Sequence, residues 1–81
     1  MVKTESHLMP GEVIVIKPHA WAFVELWELD AAGRAGRQTG EFRMVETALV
    51  LAKSPSGNGL FILTSKGECG WVSEYRVQRL M

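Results

Sequence analysis

Residues Asn58–Arg76 read NGLFILTSKGECGWVSEYR, and the reading of this stretch decides the fold. Two apolar runs, Leu60–Leu63 and Trp71–Val72, flank a turn built from Lys66, Gly67, Glu68 and Cys69. β-favouring arms around a glycine-containing bend predict an antiparallel hairpin. The expected core positions are Phe61 or Ile62 together with Trp71, with Leu60 less important. The rest of the chain reads as strands wrapped around this hairpin.

Upstream of it, Ser54-Pro55-Ser56-Gly57-Asn58-Gly59 is the strongest turn signal in the sequence. Before that turn, Glu41–Lys53 gives two short β-like pieces, EFRMVE and TALVLAK. Ala31–Gly40, AAGRAGRQTG, holds three glycines, two arginines and no large apolar group. It has nothing to give a core and reads as a long mobile loop. Ala20–Asp30, AWAFVELWELD, is ambiguous. Ala20, Phe23, Val24 and Trp27 recur at helical spacing. Its two tryptophans, Phe and Val nonetheless form strands better than helices, and a strand is the favoured reading. Such a strand places Ala22, Val24 and Leu26 on one face and Trp21, Phe23 and Trp27 on the other.

Near the start, Val13–Ile16 is four β-branched residues between charges, a strand with both faces covered, and Pro18 ends its ladder. Residues 1–9 show no period and read as a loosely held terminus. Downstream, Val77–Leu80 gives a last short strand. The sum is an all-β domain of five to six strands with one long loop. Such chains close into barrels or stack two sheets, because an open sheet leaves unpaired edges.

At 81 residues there is room for one small core and one domain. Hydrophobic residues at 47% and charged residues at 22% suit a folded globule rather than a disordered chain. Nine basic residues balance nine acidic ones, without the positive excess of a dedicated duplex-DNA binder. One cysteine makes no internal disulfide and fits a reducing compartment. No apolar run reaches the length of a membrane span, and Glu5, Ser6 and His7 interrupt any apolar signal-peptide core. The expectation is a soluble cytoplasmic protein.

Over residues 45–81 this order of elements resembles the SH3-like barrel, including its bacterial members. TALVLAKS is similar to the second core strand, SPSGN to the short loop after it, and GLFILTS to the third strand. KGEC resembles the distal turn and Gly70-Trp71-Val72 the fourth strand. Ser73-Glu74-Tyr75-Arg76 sits where that family places a single 3₁₀ turn. Residues 12–44 fit as a first strand followed by a long version of the ligand-contacting loop. The resemblance implies an interaction module. The aromatic segment that lines the peptide groove of such domains is here Ile16-Lys17-Pro18-His19-Ala20, and Ser73 takes the place of the groove proline.

Candidate chemistry is sparse. His7, His19 and Cys69 are the only soft metal ligands and are not paired as zinc sites require. Cys69 has no neighbouring histidine for a nucleophile pair and reads as a small apolar turn or core residue. No cofactor is expected and the chain does not read as an enzyme. The candidate binding residues are Trp21, Glu25, Trp27, Glu28, Asp30, Arg34, Arg37 and Tyr75. The aromatics beside three carboxylates suit an interface with a basic protein partner or a second copy of the chain. Arg34, Arg37 and Arg43 offer an alternative, contact with nucleic-acid phosphates, though no aromatic is interleaved in residues 31–41 to stack on bases.

Overall fold

Strand side chains alternate between two faces, so strands that are apolar on one face curl around a shared interior. A computed structural model describes residues 8–18, 21–30, 32, 34–54 and 58–80. In chain order the strands are β1 (Val13–Ile16), β2 (Phe23–Leu29), β3 (Ala35–Arg43) and β4 (Ala48–Lys53). Then follow β5 (Gly59–Thr64), β6 (Cys69–Ser73), a 3₁₀ turn (Glu74–Arg76) and β7 (Val77–Arg79). All pairs are antiparallel, in the order β3-β2-β6-β5-β4-β1-β7, and the sheet curls into a half-barrel. Among the described residues there is no α-helix.

The concave face is aliphatic. Ile14 and Ile16 from β1, Val24 and Leu26 from β2, Ala48 and Val50 from β4 and Leu60 and Ile62 from β5 are buried there. Leu8, Phe42, Val72 and Val77 complete the core, and Phe42 is its single aromatic ring. Burying one such aliphatic side chain stabilises the fold by about 1.5–3 kcal/mol.

The hairpin β5–β6 forms as expected, and its register sets Phe61 opposite Trp71 and Leu63 opposite Cys69. Thr64 organises its turn. The Thr64 Oγ1 accepts from the backbone N–H groups of Lys66 and Glu68, each at 3.2 Å. Thr64 N–H in turn donates to the Glu68 carbonyl at 2.7 Å. Gly67 occupies the left-handed region at φ 90°, where a side chain would be strained.

Within Ala20–Asp30, Phe23–Leu29 is a strand: β2 buries Val24 and Leu26 and turns Phe23, Glu25 and Trp27 outward, while Ala20 lies outside the described residues.

Several expectations are corrected. Within the segment 31–40, Ala35–Gly40 is strand and not loop, and the described residues form seven strands rather than five to six. Ala35–Gly40 runs straight into Glu41–Arg43 to make the nine-residue β3. Its pairing with β2 supplies the backbone hydrogen bonds, so the strand needs only Phe42 as its own contribution to the core. EFRMVE is consequently not a separate strand: Met44 and Val45 form the turn after β3, and Val45 is 87% exposed. In β5 the parity places Leu60 and Ile62 inside and leaves Phe61 half-exposed on the convex face. Trp71, on the same outward parity, is half-buried outside the core. Only one face of β1 is fully covered, since Val13 is 41% exposed. Cys69 is exposed. Finally, Leu8 belongs to the core rather than to a loose terminus.

At the far end of the sheet, the Glu12 carboxylate receives the Arg79 Nε at 2.6 Å and Nη2 at 3.3 Å, tying the start of β1 to β7. The hydrogen bond from Arg79 holds the Glu12 carboxyl below its ordinary value of 4.5.

Candidate functional site

The convex face of β2, β6 and β5 carries three aromatic rings in a row. Trp27 lies opposite Trp71 and Trp71 opposite Phe61, so one outward position on each of three adjacent strands is aromatic. Cross-strand partners on one face stand about 4.5–5.5 Å apart at Cβ, close enough for rings to touch. The Phe61 and Trp71 ring centroids are 5.3 Å apart at an interplanar angle of 45°. All three are half-buried and stand outside the buried core cluster.

Beyond this row runs a second, purely outward one. Val13, Leu49, Leu63 and Cys69 pair in sequence across β1, β4, β5 and β6, and all four are exposed.

The hairpin β2–β3 crosses over β6 at Gly70, and that crossing creates the relief of the surface. A Cβ added to Gly70 would stand 2.7 Å from Leu26 Cβ, closer still to Thr39 Oγ1, and 3.2 Å from Trp27 N. Thr39 Oγ1 donates to the Cys69 carbonyl at 2.8 Å and Glu68 Oε1 accepts the Glu41 N–H at 3.0 Å, fixing the crossing.

Two clefts flank the crossing, with Trp27, Leu29 and Trp71 common to both. The first, about 440 Å³, adds Glu25, Asn58, Ser73 and Arg76. The second, about 540 Å³, adds Phe61, Glu28, Glu68 and Thr39. A third cleft lies elsewhere, lined by Val15, Ile16, Pro18, Trp21, Ala22, Met44 and Gln78.

The structure separates the candidate binding residues. Glu25 and Glu28 face different clefts on either side of Trp27. Asp30 shapes the hairpin turn: its Oδ1 accepts from the Ala32 and Arg34 backbone N–H groups at 2.9 Å each. Arg34 Nε also meets Asp30 Oδ2 at 3.3 Å, so both side chains serve the β2–β3 turn. Arg37 Nε stands 4.0 Å from Glu28 Oε2, an exposed and loose ion pair. Trp21 lies in the third cleft, and the Arg76 guanidinium sits 5.1 Å from its ring centroid in a cation–π contact. Tyr75 is 61% exposed on the 3₁₀ turn, its N–H donating to Ser73 Oγ.

Phe61, Trp71, Glu68 and Arg76 are surface residues that sequence reading did not select. The signal was present for two of them. Once Leu60 and Ile62 are inside, period-2 alternation sends Phe61 and its partner Trp71 outward. Glu68 had no such signal, because it reaches the cleft from a turn. His7 and His19 lie outside the described residues, and no helix among those described is long and apolar enough to cross a membrane.

No family model, no curated protein and no solved structure matches the chain.

Proposed function

We propose that this chain is an SH3-like interaction module that binds a protein partner, a second copy of the chain included, through the convex face of β2, β6 and β5. The single observation that carries the reading is the row Trp27–Trp71–Phe61, three half-buried rings on the outward parity of adjacent strands and outside the buried core cluster. Half-buried aromatics flanked by clefts are the anchors that protein interfaces use. The adjoining exposed row of Val13, Leu49 and Leu63 extends the apolar area, as expected of a surface that another protein covers. The SH3-like part of the reading rests on the order of elements. A β2–β3 hairpin is inserted between the first strand and the β4–β5–β6 meander, a 3₁₀ turn precedes the last strand, and β1 bridges β4 and β7.

Nucleic-acid binding is the competing reading, and the surface chemistry disfavours it. Arg34 is committed to Asp30 and Arg37 leans on Glu28, while Glu25, Glu28 and Glu68 line the aromatic clefts. Phosphates would meet carboxylates there.

The test has two parts. Sedimentation velocity of the pure chain reports self-association, and affinity capture followed by mass spectrometry names other partners. In either case Trp71→Ala should abolish the complex and raised salt should weaken it only mildly. Binding that falls steeply with salt, is lost in an Arg34→Glu, Arg37→Glu double variant and survives Trp71→Ala would establish the nucleic-acid reading instead.

A further inference from the structure

The second cleft has a lining that selects for charge. Trp27, Trp71 and Phe61 present aromatic surface, Glu28 and Glu68 add carboxylates, and no basic side chain lines it among the described residues. An anion would be repelled there, and a purely apolar group would cover the two carboxylates without compensating them. A cation satisfies both components, through the ring faces and through the carboxylates. A planar guanidinium fits better than a compact ammonium, because it stacks on rings and forks onto carboxylates at once.

We infer that this cleft receives an arginine side chain of the bound partner. The inference rests on the interaction-module reading and specifies what that surface recognises. The carboxylates are not idle within the chain. Glu68 Oε1 accepts the Glu41 N–H at 3.0 Å, which holds the side chain over the cleft. Glu28 has the exposed Arg37 4.0 Å away, beyond hydrogen-bond distance. Arg37 therefore acts as a weak internal competitor for the incoming guanidinium.

The test is a titration of ¹⁵N-labelled protein with N-acetyl-arginine amide and with its neutral isostere, N-acetyl-citrulline amide. The expected result is movement of the Trp27 and Trp71 indole N–H signals together with the Glu68, Cys69 and Gly70 amides. Citrulline should bind on the order of tenfold more weakly. Glu68→Gln keeps an oxygen for the Glu41 N–H, and Glu28→Gln keeps the side-chain shape. Both should fold and both should weaken arginine binding several-fold, whereas Arg37→Gln should strengthen it. Four results would each overturn the assignment: equal responses to arginine and citrulline, no response to either, tighter binding of the matching lysine amide, or shifts confined to Asn58, Gly59 and Ser73 around the first cleft. The module reading fails separately. If Trp71→Ala destroys the protein complex while the arginine titration is silent, the interface stands and the cation site falls. If Trp71→Ala leaves every complex intact, the interface itself is misplaced.

Discussion

In the β5–β6 hairpin each strand carries its own reason to be buried, with Leu60, Ile62 and Val72 inside and a turn braced by Thr64. In the β2–β3 hairpin only β2 does so. β3 contributes Phe42 and is otherwise exposed through Ala35–Thr39. What holds it is external: the ladder to β2, the Thr39 hydroxyl on the Cys69 carbonyl, and the passage over Gly70. One hairpin is specified by its side chains and the other by its partners. Their stabilities should therefore respond to different substitutions.

The largest effect is expected within the self-specified hairpin. Leu60→Ala should cost about 2–5 kcal/mol of global stability, while Phe61→Ala, one residue along and facing outward, should cost clearly less. Chemical denaturation of the two variants measures this. Equal losses would mean that the outer rings support the fold as much as the interior does.

That contrast also explains what could be read in advance. The all-β class, the β5–β6 hairpin, β4 and the strand Phe23–Leu29 were legible, because β-favouring runs and turn residues are written into those segments, and the resemblance to the SH3-like order implied the 3₁₀ turn. β3 was not. AGRQTG has the composition of a loop, and the features that make it a strand lie in Trp27, Glu68, Cys69 and Gly70, distant in sequence. The candidate site was legible in part. Trp27, Glu25 and Glu28 flank the clefts, but Asp30 and Arg34 turned out to build a turn, and Trp21 borders a different cleft. Phe61 and Trp71 went unselected because large rings in a hairpin look like core until the parity of Leu60 is known.

Next in size is the crossing. Gly70→Ala should cost about 1–3 kcal/mol, as overpacking does, since its Cβ would be driven into Leu26 Cβ and the Trp27 backbone. Native-state hydrogen exchange should show this loss concentrated in β2 and β3. Uniform loss across β5 and β6 would mean that the two hairpins are a single cooperative unit.

A smaller effect sharpens the same point. Thr39→Val removes the hydroxyl that caps the Cys69 carbonyl and should lower stability by about 1 kcal/mol. The β3 amides should then exchange faster with little change in β5. Unchanged β3 protection would show that the ladder to β2 suffices by itself.

The smallest effect lies outside both hairpins and serves as their control. The folded Glu12 carboxyl titrates below its unfolded value because of Arg79. Its contribution is therefore present above about pH 4.5 and is lost as pH falls through the folded value. Glu12→Gln should lower the melting temperature slightly at neutral pH and flatten its decline in acid, leaving the hydrogen-exchange ranking of the hairpins intact. An unaltered acid slope would assign the acid sensitivity to other carboxylates.

The outer border of β3 has a consequence for behaviour in a crowded solution. A nine-residue strand at the rim of a sheet offers a template on which other chains can polymerise. Along its C-terminal third that template is already occupied: the Glu41 N–H is taken by Glu68 and the Arg43 N–H by Glu46, at 3.0 and 3.2 Å. A strand arriving there would have to displace two carboxylates and then face their negative charge. At these positions the chain's own carboxylates stand where the backbone of an added strand would pair, so this part of the rim is closed to fibrous growth.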